Sequence, residues 1–248
     1  MSELFGSTRG VIKGRYALLP PEGFVPSNLP GWEKADSVVV VSPAMGAGFC
    51  QLVVTLGREG EGHGNTGVYE FFVYVVEGNG AVTFEEKKQR LESGHFAYFP
   101  PGKDLYFQGS GATGMKIVVF QKRYHSLSNN PIPMAYLGHR RDIKSLPYRG
   151  NADVKCLALV PESPRFDLAV NILTFQPGAS LPGVETSIME QGALMLEGQG
   201  ICRLDADYHH VRSGDSIWTA PYCPRWFVGM GKAPISYIYY QDVNRDPI

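Results

Sequence analysis

Four polar residues in the second half of the chain are the best candidates for chemistry. Glu185, Ser187 and Gln191 lie close together in the sequence, and Arg225 follows them. A carboxylate is a good ligand for a divalent ion, a glutamine amide oxygen is a weak one and a serine hydroxyl is a poor one. An arginine stays protonated and would repel a cation. A carboxylate that faces an arginine forms a charge-assisted pair. An arginine with amide and hydroxyl partners is also suited to an anionic ligand.

Runs of β-branched and aromatic residues, ended by glycine or proline, predict the strands that position these side chains. With 29 glycines and 18 prolines in 248 residues, no long helix fits between the breakers. The chain is therefore expected to be all-β, and the polar stretch 125–150 is the candidate linker. The clearest strand signals are at 36–42, 50–56, 71–76, 115–120, 156–160, 168–174 and 235–240.

An internal repeat relates the two halves of the chain. The segment Glu77-Gly-Asn-Gly80 matches Glu197-Gly-Gln-Gly200, at an offset of 120 residues (77 to 197), and the match needs no gap from about residue 64 to residue 107. A repeat at a fixed offset indicates that the second half is a copy of the first. Glycine at these turns allows the positive φ that tight reversals require.

The pattern inside each copy, in which strands alternate with glycine turns and end at a proline turn, resembles that of the cupins. The resemblance implies a bicupin, with two tandem jelly-roll barrels (double-stranded β-helices) in one chain. Residues 1–130 are predicted to form an N-terminal, structural barrel, and residues 131–248 a C-terminal barrel with the pocket.

Cupins hold a divalent metal ion on histidines and a carboxylate inside the barrel, and the repeat allows these positions to be located in both halves. In the first barrel the positions are occupied by Asn65, Gly67, Phe71 and Leu105. Glycine, phenylalanine and leucine offer no ligand, so no metal is expected there. In the second barrel the positions are occupied by Glu185, Ser187, Gln191 and Arg225. We expect Arg225 to take the place of the metal and to neutralise Glu185; the alternative is that Arg225 points out of the barrel mouth.

Over nearly its whole length the chain resembles the bicupin (S)-ureidoglycine aminohydrolases, also called glyoxylate-induced or allantoin-catabolism proteins. The most specific matches are Phe175-Gln-Pro-Gly-Ala-Ser180 and the tail Tyr239-Tyr-Gln-Asp-Val-Asn-Arg-Asp246. The resemblance implies a manganese-dependent reaction of purine degradation, in which (S)-ureidoglycine loses ammonia and becomes (S)-ureidoglycolate. It also implies a metal held in the second barrel by Glu, His, His and Gln.

The pocket departs from this family pattern at most positions. Glu185 retains the first ligand and is the candidate catalytic residue, and Tyr237 is retained as a pocket residue. Both ligand histidines and the ligand glutamine are replaced, as are a pocket tyrosine and a lysine. We therefore expect no metal cofactor, with manganese present only if the family chemistry is retained. The predicted substrate-binding residues are Ser187, Gln191, Cys202, Arg225, Tyr237 and Gln241.

Three functions remain open at this point. The chain could be an enzyme of ureide metabolism, or a metal-free relative that binds a small carboxylate or ureide through Arg225. It could also be a catalytically inactive bicupin.

The Gly-rich segment 60–67 is not followed by a helical pattern, so it predicts a loop that enters the first barrel rather than a phosphate site.

Charge, hydropathy and cysteine content limit the partners and the cellular location that can be expected. The formal net charge of −1 provides no field that would favour nucleic acid or a membrane. The N-terminus has no apolar signal core, and no run approaches membrane-spanning length. Four cysteines without a CxxC pair predict reduced thiols and a cytoplasmic protein. A homo-oligomer is expected, because bicupins pair exposed strand edges that need covering.

Overall fold

A computed structural model describes residues 8–243, which form β-strands joined by turns and three short 3-10 helices. The first half contributes β1 (Val11–Ile12), β2 (Tyr16–Leu19), β3 (Trp32–Val41), β4 (Phe49–Asn65), β5 (Tyr69–Phe84), β6 (Lys87–Glu92), β7 (His95–Phe99) and β8 (Asp104–Arg123). The second half contributes β9 (Tyr136–His139), β10 (Leu146–Tyr148), β11 (Asn151–Ala158), β12 (Leu168–Phe175), β13 (Gln191–Glu197), β14 (Gln199–Leu204), β15 (Asp207–Arg212), β16 (Ser216–Thr219), β17 (Arg225–Met230) and β18 (Ile235–Asp242). The 3-10 helices are Pro21–Gly23, Pro43–Met45 and Arg140–Asp142.

The strands form two barrels, which confirms the predicted all-β bicupin. The first barrel is built on a seven-stranded sheet in the order β3-β4-β8-β5-β7-β9, with β6 paired to β5. The second barrel combines an eight-stranded sheet with a three-stranded sheet in the order β15-β14-β17. The 120-residue repeat is visible in the strand bounds, since Lys87–Glu92 in the first barrel corresponds to Asp207–Arg212 in the second.

The two barrels exchange one short strand each. β2, from the start of the chain, pairs with β16 of the second barrel, and β9, which follows the polar stretch, pairs with β7 of the first. Tyr16–Leu19 and Tyr136–His139 are themselves equivalent under the repeat, so the exchange is reciprocal. Two strands therefore cross the division predicted at residue 130, and the division itself stays a prediction.

Side chains alternate along each strand between a barrel interior and the contact between the barrels. In β5, Val73 and Val75 face the interior of the first barrel, whereas Phe72 and Tyr74 join a cluster that contains residues of both barrels. Phe49 of the first barrel stacks on Tyr240 of the second, with ring centroids 4.1 Å apart. The buried contact holds the two barrels against each other.

Two local predictions were wrong. The glycine-rich segment 60–67 is not a loop, because β4 continues to Asn65 and pairs with β8. Gly62 leaves room for the Trp32 ring of the neighbouring strand β3, since a Cβ atom there would lie 2.3 Å from that ring. The stretch 125–150 is not only a linker, because it contains β9 and β10.

Two parts of the sequence discussed above lie outside the described residues: the first seven residues, and the end of the tail from residue 244 onward. Within residues 8–243, no helix has the length and apolar character needed to cross a membrane.

Candidate ligand site in the second barrel

Glu185 and Arg225 face each other in the second barrel because their backbones form an antiparallel bridge. Each backbone N–H donates to the other residue's carbonyl, at 2.8 and 2.9 Å. Arg225 Nη2 lies 3.6 Å from Glu185 Oε2, and the side chains are only 14% and 7% exposed. Arg225 also lines the cavity of this barrel. Its guanidinium therefore points inward, toward the carboxylate, and not out of the mouth.

A second arginine, not predicted from the sequence, contacts the same carboxylate. Arg149 Nη1 lies 2.8 Å from Glu185 Oε1, although the Arg149 side chain is 59% exposed. The Tyr148 hydroxyl lies 3.4 Å from both oxygens of Glu185. Burial, followed by the nearby Glu185 carboxylate, raises the pKa of Tyr148. The Glu185 carboxylate thus contacts two guanidinium groups and a neutral phenol.

A tight hairpin between β10 and β11 positions Tyr148 and Arg149. Tyr148 pairs with Asn151, which leaves Arg149 and Gly150 as a two-residue turn with φ of 49° and 81°. Positive φ at both positions characterises the type I′ turn that joins twisted antiparallel strands. Gly150 is the only local sign of this turn in the sequence, so the assignment of 125–150 to a linker hid the hairpin and its arginine.

The two predicted glutamines form a pair, and the serine is held by its own turn. Gln191 and Gln241 are opposite each other in the β13–β18 register, and Gln191 Nε2 donates to Gln241 Oε1 at 2.7 Å. The Ser187 hydroxyl accepts a hydrogen bond from the backbone N–H of Met189 at 3.1 Å. Ser187 is therefore engaged locally, and of these three residues only Gln191 lines the cavity of the second barrel.

The cavity itself is small and mainly apolar. It has a volume of about 40 Å³ and includes the predicted residues Gln191, Cys202, Arg225 and Tyr237 in its lining. This is room for about three water molecules. Burial raises the pKa of Cys202 to about 12 and raises that of Tyr237, so both are neutral at pH 7. All four cysteines are free, as predicted.

These residues do not fit a divalent metal ion. The only carboxylate at the family positions is already paired with Arg149 and Arg225. Both guanidinium groups are permanently charged and would face a bound cation at short range. The hydroxyl of Ser187 accepts a backbone hydrogen bond, and an amide oxygen from Gln191 alone is a weak ligand.

A different group in the first barrel could hold a metal ion. Glu92, His95 and His139 offer ligand atoms within 4.8 Å of one another. The imidazole of His139 is already used, because Nδ1 accepts from the backbone N–H of Arg141 at 3.0 Å and Nε2 lies 3.2 Å from the Ser93 carbonyl. This group lies at the β6–β7 turn and β9, and it shares no residue with the site around Glu185.

Comparison with known proteins agrees with the fold. The model of the EutQ-like cupin domain matches residues 47–124. The (S)-ureidoglycine aminohydrolase of Escherichia coli K12 is 35% identical over 245 residues, covering 97% of this chain and 93% of the relative. The Arabidopsis thaliana enzyme of the same name is 31% identical, covering 100% of this chain and 82% of the relative. The crystal structure of protein Ylba from E. coli superposes with a TM-score of 0.88 at 32% identity, covering 100% of this chain and 99% of that one.

Proposed function

This chain belongs to the (S)-ureidoglycine aminohydrolase family, and we propose that its second barrel binds a small ureide that carries a carboxylate, without a metal ion. The observation that carries the proposal is the pairing of one carboxylate, Glu185, with two guanidinium groups, Arg149 and Arg225. Two positive charges against one negative charge leave the group with a net charge of +1. A single ligand carboxylate would complete the balance.

The donors of these arginines are sufficient for both a ligand and Glu185. A guanidinium carries five N–H donors, and Arg225 approaches Glu185 at 3.6 Å, beyond hydrogen-bond distance. Arg225 is also largely shielded from water, which strengthens its attraction for an anion. The ligand carboxylate would therefore bind on the cavity side of Arg225, with Arg149 at the mouth.

The remaining polar groups suit the ureide part of such a ligand. A ureide presents N–H donors and a carbonyl acceptor, and the Gln191–Gln241 amide pair offers groups of both kinds. Because the cavity of 40 Å³ holds only about three water molecules, part of the ligand would remain at the mouth. We propose Ser187, Cys202 and Tyr237 as further contacts.

Hydrolysis of (S)-ureidoglycine is the second candidate, and the identity of 31–35% to enzymes of that name favours it. In that reaction water replaces the amino group and ammonia is released. Glu185 is the candidate to accept the water proton. Its two oxygens already face Arg149, Arg225 and Tyr148, so neither oxygen is free to approach a water molecule, and the geometry favours binding.

Calorimetric titration with allantoate and (S)-ureidoglycolate, in buffer containing EDTA, tests the proposal. We expect one site per chain and the same affinity as in buffer without EDTA. Absence of binding under these conditions would overturn the proposal. Ammonia release from (S)-ureidoglycine, measured with and without manganese in the same preparation, tests the second candidate: release that depends on manganese would replace metal-free binding with the family reaction.

We also propose that the protein is cytoplasmic and forms a homo-oligomer. Four free cysteines support a reducing compartment. β3 lies at an edge of the seven-stranded sheet, where Ser27 bridges only Ser37. The rest of this edge and the half-exposed Val39 would gain from a second copy. Sedimentation velocity at several concentrations tests the self-association, and a monomer throughout would contradict it.

A further inference from the structure

The first barrel contains a larger cavity than the second, and nothing in the proposed function uses it. Its volume is about 260 Å³, whereas the cavity beside Arg225 has about 40 Å³. An apolar cavity of roughly 150 Å³ stays dry because its lining is apolar, and it is large enough to bind benzene. The first barrel therefore has room for a molecule of about two fused rings.

The position of this cavity matches the position of the ligand site in the second barrel. Asn65, Phe71 and Leu105 line it, and under the 120-residue repeat these correspond to Glu185, Gln191 and Arg225. The same place in the barrel is thus uncharged in the first copy and charged in the second. The ligand classes of the two cavities must differ accordingly.

Aromatic side chains form part of the wall. Trp32 and Phe107 both line the cavity and stack on each other, with centroids 5.9 Å apart and planes 19° apart. Phe71 contributes a third ring. Because aromatic rings pack favourably with one another in offset or edge-to-face arrangements, this wall favours a flat aromatic ligand over a flexible aliphatic one.

One amide reaches into this apolar space. Gln121 lines the cavity at the end of β8, and within residues 8–243 its side chain makes no hydrogen bond, whereas the equivalent Gln241 is bonded to Gln191. A polar group in an apolar site fixes the orientation of a ligand through a single hydrogen bond. The exposed His63 and Asn65 stand at the mouth.

We infer that the first barrel is a second binding site, which takes a small neutral aromatic molecule with one hydrogen-bonding group. The rings pack among Trp32, Phe71 and Phe107, and the polar group bonds to the amide of Gln121. This site does not involve Arg225 or Glu185, so a test of it is independent of the test of the ureide site.

Titration of the full chain with indole, followed by calorimetry and by amide chemical shifts, tests the inference. We expect one indole per chain, with shift changes concentrated on β4, β5 and β8 of the first barrel. Gln121→Leu should weaken binding about tenfold, the value of one hydrogen bond, and Gln241→Leu, at the equivalent position of the second barrel, should leave it unchanged. Val119→Phe should fill the cavity and abolish binding.

Three results would overturn the inference. They are the absence of saturable heat and shift changes, shift changes confined to the second barrel, and equal losses of affinity in Gln121→Leu and Gln241→Leu. Because the shift map uses the unaltered protein, it decides the matter even if Val119→Phe does not fold.

Discussion

The two barrels share one backbone plan but present different chemistry at equivalent positions. Where the first barrel has Phe71 and Leu105, the second has Gln191 and Arg225. The first cavity is the larger, 260 Å³ against 40 Å³, and among the described residues no arginine, lysine or carboxylate lines it, whereas Arg225 lines the second. The turn glycines and the alternation of apolar residues are common to both copies and determine the fold. A few inward positions determine the ligand, so a duplicated barrel can change its site without changing its architecture.

The largest expected effect comes from giving the first barrel the charge of the second. Leu105→Arg places a guanidinium in an apolar cavity where the position of Glu185 is occupied by Asn65, so no carboxylate compensates it. An uncompensated buried charge costs about 3–5 kcal/mol, and the free energy of unfolding in urea should fall by that amount. Leu105→Met is the matched control and should cost less than about 1.5 kcal/mol. Equal unfolding free energies for the two variants would mean that the first cavity is not apolar in the sense described.

The second-largest effect is expected when the second barrel loses its inner charge. Arg225→Met removes the inner cation of the second barrel, and a hydrogen bond to a charged group contributes about 1.5–3 kcal/mol. The affinity for allantoate, measured by calorimetry, should therefore fall roughly 10- to 100-fold. Arg203→Met is the control, since Arg203 lies in the same barrel but bonds to the carbonyl of Asp205. Unchanged affinity in Arg225→Met would remove Arg225 from the site.

A smaller effect concerns two equivalent buried carboxylates. Glu70 accepts a hydrogen bond from the Tyr98 hydroxyl at 2.8 Å, whereas Glu190 accepts from Trp218 Nε1 at 3.3 Å and from the Gly48 backbone at 2.9 Å. Burial raises the pKa of Glu190 above its ordinary value of 4.5. The folded state therefore holds this proton more tightly than the unfolded state, and the contribution to stability is full below pH 4.5 and falls as the pH rises through the folded pKa.

Glu190→Gln should remove this pH dependence. The unfolding free energy of the natural protein, taken relative to the variant, should decline between pH 4.5 and neutrality by about 1.4 kcal/mol for every pH unit that separates the two pKa values. Urea unfolding at closely spaced pH values measures the difference. A difference that stays constant over this range would contradict the raised pKa.

The smallest effect is expected at the exposed arginine of the site. Arg149 is 59% exposed, and exposed ion pairs contribute about 0.2–1 kcal/mol. Arg149→Ala should weaken allantoate binding by no more than about fivefold, and Arg149→Lys should retain most of the affinity. A loss as large as that of Arg225→Met would show that the mouth, rather than the interior, holds the ligand.

The sequence predicted the fold because its signals are local and repeated. The Glu-Gly-x-Gly turns at Gly78 and Gly198 both adopt positive φ, 80° and 79°, and the runs of β-branched residues lie in strands. The exchange of β2 and β9 was not predicted. Which barrel a four-residue strand joins depends on contacts far along the chain, and its own residues carry no signal of that choice.

Only part of the candidate site could be predicted from the sequence. Glu185 and Arg225 could be placed together from the ligand positions of the cupin motifs, because the barrel that both residues share fixes those positions. Arg149 could not, because it reaches Glu185 from a hairpin whose only local signal is Gly150. Residues that enter a site from a neighbouring hairpin are visible only once strand pairing is known.

The metal content of the second barrel distinguishes metal-free ligand binding from the metal-dependent chemistry of the family. The chain, purified without chelators, is assayed for Mn, Fe, Ni and Zn, alongside His139→Ala, which separates metal bound at Glu92, His95 and His139. The variant Ser187→His, Gln191→His, Arg225→Gln, which carries the family ligand set, is the positive control. We expect manganese in the control and far less than one ion per chain in the second barrel of the natural protein. Near-stoichiometric manganese that persists in His139→Ala and is lost in Glu185→Ala would contradict it.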